Sequence, residues 1–171
     1  LTFSSDSFFC GPSAPQSTCD VVRKHTSCWT LKDCWTLKDC WTLKDCRTLA
    51  VVGLSANPGR VSHSVCAYMS GHGYRIIGVN PNYPEVFGGP CYPSLSEMPE
   101  EVRSEVELVV VFRRPEEVPE LLSECADLGL KKVWLQLGVA SAEALEIAEK
   151  RELEIVEEQC LMVVHSLYSP H

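Results

Sequence analysis

Five short apolar runs limit what this chain can fold into: "TLAVVGLS" (48–55), "YRIIGVN" (74–80), "ELVVVF" (107–112), "KVWLQL" (132–137) and "LEIV" (153–156). Runs of this length without strict polar alternation suit strands buried on both faces. The segments between them carry helical spacing. Val61, Val65, Tyr68 and Met69 share one face, and Gly71 suits a C-terminal cap. Pro115 opens a second helix, with Val118, Leu121, Leu122, Cys125 and Leu128 on one side and Gly129 as its stop. Ser141 can cap a third, with Glu143 in its first turn and Lys150 and Arg151 in its last, all favourable to the helix dipole. Strands alternating with helices imply right-handed crossovers and a parallel sheet covered on both faces. The expected fold is α/β: a Rossmann-like, doubly wound, mostly parallel sheet.

Ahead of the first run stands a different kind of sequence. "CWTLKDCWTLKDCWTLKDC" (28–46) is one hexapeptide written three times, followed by the first residue of a fourth. Six residues advance a helix by about 600°, so each copy points about 120° away from the last and no apolar stripe forms. In a strand, Cys, Thr and Lys share one face and Trp, Leu and Asp the other, so neither is cleanly apolar. Structural zinc sites usually pair thiolates roughly two to four residues apart, whereas Cys28, Cys34, Cys40 and Cys46 are evenly spaced. A metal array therefore ranks below a tandem expansion of a short helical lead-in, with "CRTL" (46–49) matching "CWTL" in all but one residue. Residues 1–46 are expected to be a poorly ordered extension carrying the repeat at 28–45, and residues 47–171 the domain.

The chain has 171 residues and a net charge of −8, which makes nucleic acid an unfavourable partner. No apolar run is long enough to cross a membrane. Ten cysteines do not imply secretion here, since four follow from the repeat and Cys66 and Cys125 sit on apolar helix faces. A reduced, cytoplasmic setting is expected.

In a fold of this kind ligands bind beyond the carboxyl ends of the strands, where strand order reverses. The loop there is "GLSANPGRVS" (53–62). Gly53 allows a tight turn, Ser55 and Ser62 offer hydroxyls, Arg60 a positive charge, and the following helix start free N–H groups for a diphosphate. A nicotinamide dinucleotide is disfavoured twice. The G-x-G-x-x-G pattern is broken by Ser55 and Pro58, and the acidic residue wanted after the second strand is replaced by Asn80 and Pro81.

Taken together, "VVGLSANPGRVSHSVCAYM", "GYRIIGVNPNYPEVFGGPCYPSL", "VFRRPEEVPE" and "VWLQLGV" resemble the small bacterial and archaeal CoA-binding proteins. These are stand-alone relatives of the nucleotide-binding domain of the succinyl-CoA synthetase alpha subunit. The resemblance runs from about Leu43 to His165. It implies coenzyme A, or an acyl-CoA, as the ligand. Gly53, Ser55, Ala56, Arg60 and Ser62 would bind phosphate and ribose, and Asn80 and Pro81 would close the second strand against the nucleotide. Phe112, Arg113 and Arg114 would reach the same rim, with Leu137 and Gly138 along the path of the pantetheine arm. The chain departs from the family at Asn82, where a basic residue is common, and at "EEQC" (157–160) and Val164-His165. The phosphorylated histidine of the synthetase lies in a second domain with no counterpart here, so no catalytic residue and no metal ligand carries over.

Cys160 and His165 form a bare thiol–imidazole pair without a third group, a weak sign of nucleophilic chemistry. His63 stands near the ligand loop and His72 in a "GHG" turn. The expected function is a non-catalytic CoA carrier, sensor or regulatory module, with a homodimer as the expected assembly. The alternatives are a nicotinamide oxidoreductase, an acyl-CoA ligase-like component and a redox-gated regulator.

Overall fold

The computed structural model describes Leu43 and residues 45–168, which lie within one compact unit, Asp33–His171. The expectations for the extension and its repeat fall outside the described residues, apart from Leu43, Asp45 and Cys46. Seven strands form one sheet: β1 (Thr48–Val52), β2 (Arg75–Val79), β3 (Glu85–Val86), β4 (Gly89–Tyr92), β5 (Leu108–Val111), β6 (Lys132–Leu135) and β7 (Glu154–Val156), in the order β3-β4-β2-β1-β5-β6-β7. All pairings are parallel except β3 with β4. The five apolar runs became β1, β2, β5, β6 and β7. The hairpin of β3 and β4 was not foreseen, because its Pro, Gly and aromatic residues carry no period-two pattern.

Besides the helical Leu43 and Asp45, five α-helices lie in the described part: α1 (Val61–Gly71), α2 (Glu100–Arg103), α3 (Val118–Asp127), α4 (Ala142–Lys150) and α5 (Leu161–Tyr168). None is long and apolar enough to cross a membrane. Alternation along β1 divides the core. Leu49 and Val51 face α1 and α5, with Val110 and Trp134 beside them; Ala50 and Val52 face α3 and α4, with Val109, Val111 and Leu135. Both layers are apolar, as a parallel sheet requires.

Most helix signals hold. Pro115 starts a 3-10 turn that runs into α3, Gly129 takes the left-handed position after it at φ +75°, and the Ser141 hydroxyl accepts the Ala144 N–H at 3.2 Å. Two expectations for α1 need correction. Val61 is 68% exposed and off the apolar face, whose buried members are Ser62, Val65, Cys66 and Met69. The left-handed residue beyond the helix is Gly73, at φ +86°, while Gly71 is still helical. At the amino ends of the central strands β1 and β5, Glu107 ties the approach to β1: its carboxylate accepts the N–H groups of Arg47 and Thr48, which pulls its pKa below the ordinary carboxylate range.

Candidate functional site: the carboxyl rim of the sheet

β1 ends at Val52, between β2 and β5, where the sheet order reverses. Gly53 turns the chain there at φ +85° and donates its N–H to Val79 O at 2.9 Å. A Cβ at this position would stand 2.6 Å from Phe112 O, so both the conformation and the space demand glycine. Buried Leu54 anchors the next step, and the buried Asn80 side chain donates Nδ2–H to Leu54 O at 2.9 Å. Asn80 is thus the post that holds the loop to the end of β2. Its Oδ1 also accepts the Asn82 N–H at 3.0 Å.

The loop binds itself through short side chains. The Ser55 N–H donates to Ser62 Oγ at 3.2 Å, Ser55 Oγ accepts the Asn57 N–H at 3.1 Å, and Asn57 Oδ1 accepts the Gly59 N–H at 2.8 Å. Tyr83 brings its hydroxyl to 3.4 Å from Ser55 Oγ. These contacts preorganise α1 to start at the rim, with extended Arg60 as N-cap. Its start has no side-chain cap bond and no acidic residue in the first turn. A helix N-terminus carries unpaired N–H groups and roughly half a positive charge.

Gly53, Ser55, Arg60, Ser62, Asn80 and Phe112, all expected from the sequence, line one cavity of about 580 Å³ at this point. Asn57, Gly59, Val61, Asn82 and Tyr83 complete the lining, and no carboxylate faces it. In a chain of net charge −8, an acid-free cavity around an arginine and an open helix start is suited to an anion.

The other expected residues lie elsewhere on the rim. Ala56 and Pro81 are exposed beside the cavity without lining it. Arg113 lines a second cavity, about 530 Å³, together with Val52, Val79, Leu95 and the α3 carboxylates; it pairs with Glu117 at 3.4 Å. Arg114 is exposed. Leu137 is 62% exposed past the end of β6, and the Gly138 N–H donates to the Glu158 carboxylate at 3.2 Å. Beside them is a residue that the sequence reading passed over. Gln136 is 5% exposed, accepts the Leu161 N–H on Oε1 at 3.4 Å, and leaves Nε2 without a partner among the described residues. A polar residue inside the apolar run "WLQL" was the available signal. Close by, burial and then the neighbouring Glu158 charge push the Glu157 carboxyl up.

Cys160 and His165 do not act as a pair. His165 is buried, with Nδ1 3.1 Å from the Tyr68 hydroxyl. Cys160 stands before the start of α5, while His165 lies inside it on the buried side. Burial pushes the thiols of Cys66 and Cys125 up to about 12, out of reach of thiolate chemistry at neutral pH. His63 stacks on Phe87 with ring centroids 4.6 Å apart, and His72 holds Tyr68 O through Nδ1 at 2.8 Å.

Comparison with known proteins agrees with this geometry. A family model for a CoA binding domain matches residues 47–166. The chain is 34% identical over 119 residues to the uncharacterized protein YneT of Bacillus subtilis, covering 70% of this chain and 85% of that one. It is 27% identical over 128 residues to acetate–CoA ligase (ADP-forming) I of Archaeoglobus fulgidus, covering 69% of this chain but only 18% of the ligase. A hypothetical protein of Pyrococcus horikoshii OT3 superposes with a TM-score of 0.73 at 32% identity, covering 79% of this chain and 92% of its own. The cell-free product ID.343 of Thermus thermophilus superposes at 0.70 and 31%, covering 78% and 98%. With the open helix start, the acid-free cavity and a family model spanning the sheet from β1 to α5, this chain belongs to the CoA-binding domain family.

Proposed function

We propose that the protein binds coenzyme A or an acyl-CoA at the carboxyl rim of its sheet and serves as a non-catalytic carrier or sensor. The observation that carries this reading is the start of α1. It is uncapped, free of acidic residues, and opens into the cavity beside Arg60. The diphosphate belongs there, on the first-turn N–H groups and the Arg60 guanidinium. The pantetheine arm then follows the rim towards β6, where Leu137 offers apolar surface and the unpartnered Gln136 amide is a donor for a carbonyl. Residues 47–171 act as the CoA-binding unit and residues 1–46 as its extension. The reading includes a homodimer, testable by sedimentation.

Mass spectrometry of ligand released from purified protein, with calorimetric titration of CoA, acetyl-CoA and NAD(H), tests the assignment. CoA or its thioesters are expected to bind and NAD(H) not. Binding of NAD(H) without CoA sinks it. The match to ADP-forming acetate–CoA ligases supports one second reading, a component of a ligase that needs a partner subunit. Acyl-CoA formation with nucleotide and a partner, lost in Arg60→Ala, would favour that reading over a carrier.

A further inference from the structure

Five cysteines lie among the described residues, and Cys46, Cys66, Cys91 and Cys125 are buried in the two core layers. Cys160 alone of the five keeps partial exposure. It stands in the loop after β7, at the carboxyl rim, and its carbonyl accepts the Val164 N–H of α5 at 3.0 Å. A run of contacts along the rim ties it to the cavity at Gly53. The Phe112 N–H, at the cavity wall, donates to Val52 O at 2.9 Å, and the Gln136 N–H donates to Val111 O at 3.4 Å. Gln136 Oε1 then accepts the Leu161 N–H, next to Cys160, at 3.4 Å. Phe112 and Cys160 also pack on the same core layer, the one facing α1 and α5. Only β5 separates β1 from β6, which sets their ends about 10 Å apart. The pantetheine arm of CoA spans more than that, and it ends in a thiol.

Gln136 is an independent sign that the rim beside Cys160 receives a ligand. Its side chain is 5% exposed, its amide lies against the start of α5, and Nε2 has no partner among the described residues. A buried donor left unpaired is costly, and a bound acceptor removes that cost. We propose that Cys160 meets the sulfur of the bound ligand and exchanges disulfides with the oxidised form of CoA, the CoA disulfide. The inference rests on the CoA reading of the cavity. The Cys160 thiolate attacks one sulfur of the ligand disulfide. The bond from Cys160 Sγ to that sulfur forms, the ligand S–S bond breaks, and the released CoA thiolate takes up the proton that Cys160 gave up. One disulfide is consumed and one is made, so no other oxidant or reductant enters. The retained CoA is then held covalently along the rim, with its diphosphate at α1. Glu158, two residues before Cys160, opposes an anionic disulfide arriving from solution, whereas a ligand anchored at Arg60 needs no such encounter. The adduct thus records the ratio of CoA disulfide to CoA.

The test uses the full-length protein, reduced and then freed of reductant. Calorimetry first measures CoA binding on the same preparation. The tryptic peptide 152–171 holds Cys160 and no other cysteine, so mass spectrometry assigns an adduct of one CoA less two hydrogens to that residue. With CoA disulfide at about 0.1 mM, the roughly millimolar effective concentration of a bound arm gives about tenfold faster exchange at Cys160 than glutathione disulfide at the same concentration. Arg60→Ala is expected to remove that advantage and to leave the glutathione rate unchanged. CoA that binds without an adduct on peptide 152–171 overturns the inference and leaves the CoA reading standing. An adduct on another cysteine instead, equal rates for the two disulfides, or an advantage that survives Arg60→Ala does the same. Absence of CoA binding in the calorimeter overturns both.

Discussion

Helix α4 begins on Ser141, whose hydroxyl takes the Ala144 N–H, and carries Glu143 in its first turn; helix α1 begins on Arg60, with neither a cap nor an acid. Both follow a strand of the same sheet, β1 before α1 and β6 before α4. The first caps the Ala144 N–H and offsets its dipole with its own residues. The second turns back only the His63 N–H, onto Arg60 O, and leaves its dipole to something else, and at that end the walls of a cavity carry no carboxylate. The contrast teaches that an uncapped helix start is a functional statement when the surrounding structure spends effort to hold it open. Here Ser55, Ser62, Asn57 and Asn80 all hydrogen-bond within the loop and fix where α1 begins.

The largest way to break this contrast is Gly53→Ala. A Cβ would meet Phe112 O at 2.6 Å with φ at +85°, so stability should fall by about 3 kcal/mol, read as a shift in the denaturant midpoint. A loss under about 1 kcal/mol means that the turn relaxes and does not govern the site. Next, Arg60→Ala should weaken CoA about tenfold in calorimetry and flatten its salt dependence, with the melting temperature unchanged. The third test turns to the other helix. Ser141→Ala should cost about 1 kcal/mol of stability and leave CoA affinity untouched. The smallest effect is the sharpest. Val61 is 68% exposed, so Val61→Glu adds an acid to the open first turn without disturbing the core. The free protein should gain about 0.5 kcal/mol while CoA affinity falls a few-fold. If affinity rises with stability, the anion does not sit on α1.

Much of the candidate cavity's lining was legible because its loop is local. Gly53, Ser55, Arg60 and Ser62 lie within ten residues, and a strand–loop–helix segment places them by short-range geometry alone. Asn80 was legible as the residue ending β2, although its role as a post for Leu54 O needed the neighbouring strand. Arg113 and Arg114 were read as one pair at the rim. The structure separates them, the first into an ion pair with Glu117 beside the second cavity and the second into exposed surface. Adjacent residues leaving a strand point to opposite sides, and sequence position alone does not say which side holds a ligand. Tyr83 and Gln136 escaped notice for a related reason, since each matters through a partner 28 or 25 residues away.

By itself the sequence determined the layered α/β class, five of the strands and the position of the loop between β1 and α1. These follow from hydrophobic period and local turn chemistry, which act over a few residues. Only the tertiary structure decided the order of the strands, the hairpin at the sheet edge, and which polar groups share a cavity. It also decided that Leu43 and Cys46, two members of a repeat with no apolar face of its own, have a buried place to go. Burial is a property of what the fold brings alongside a residue, which a hexapeptide repeated three times cannot specify on its own.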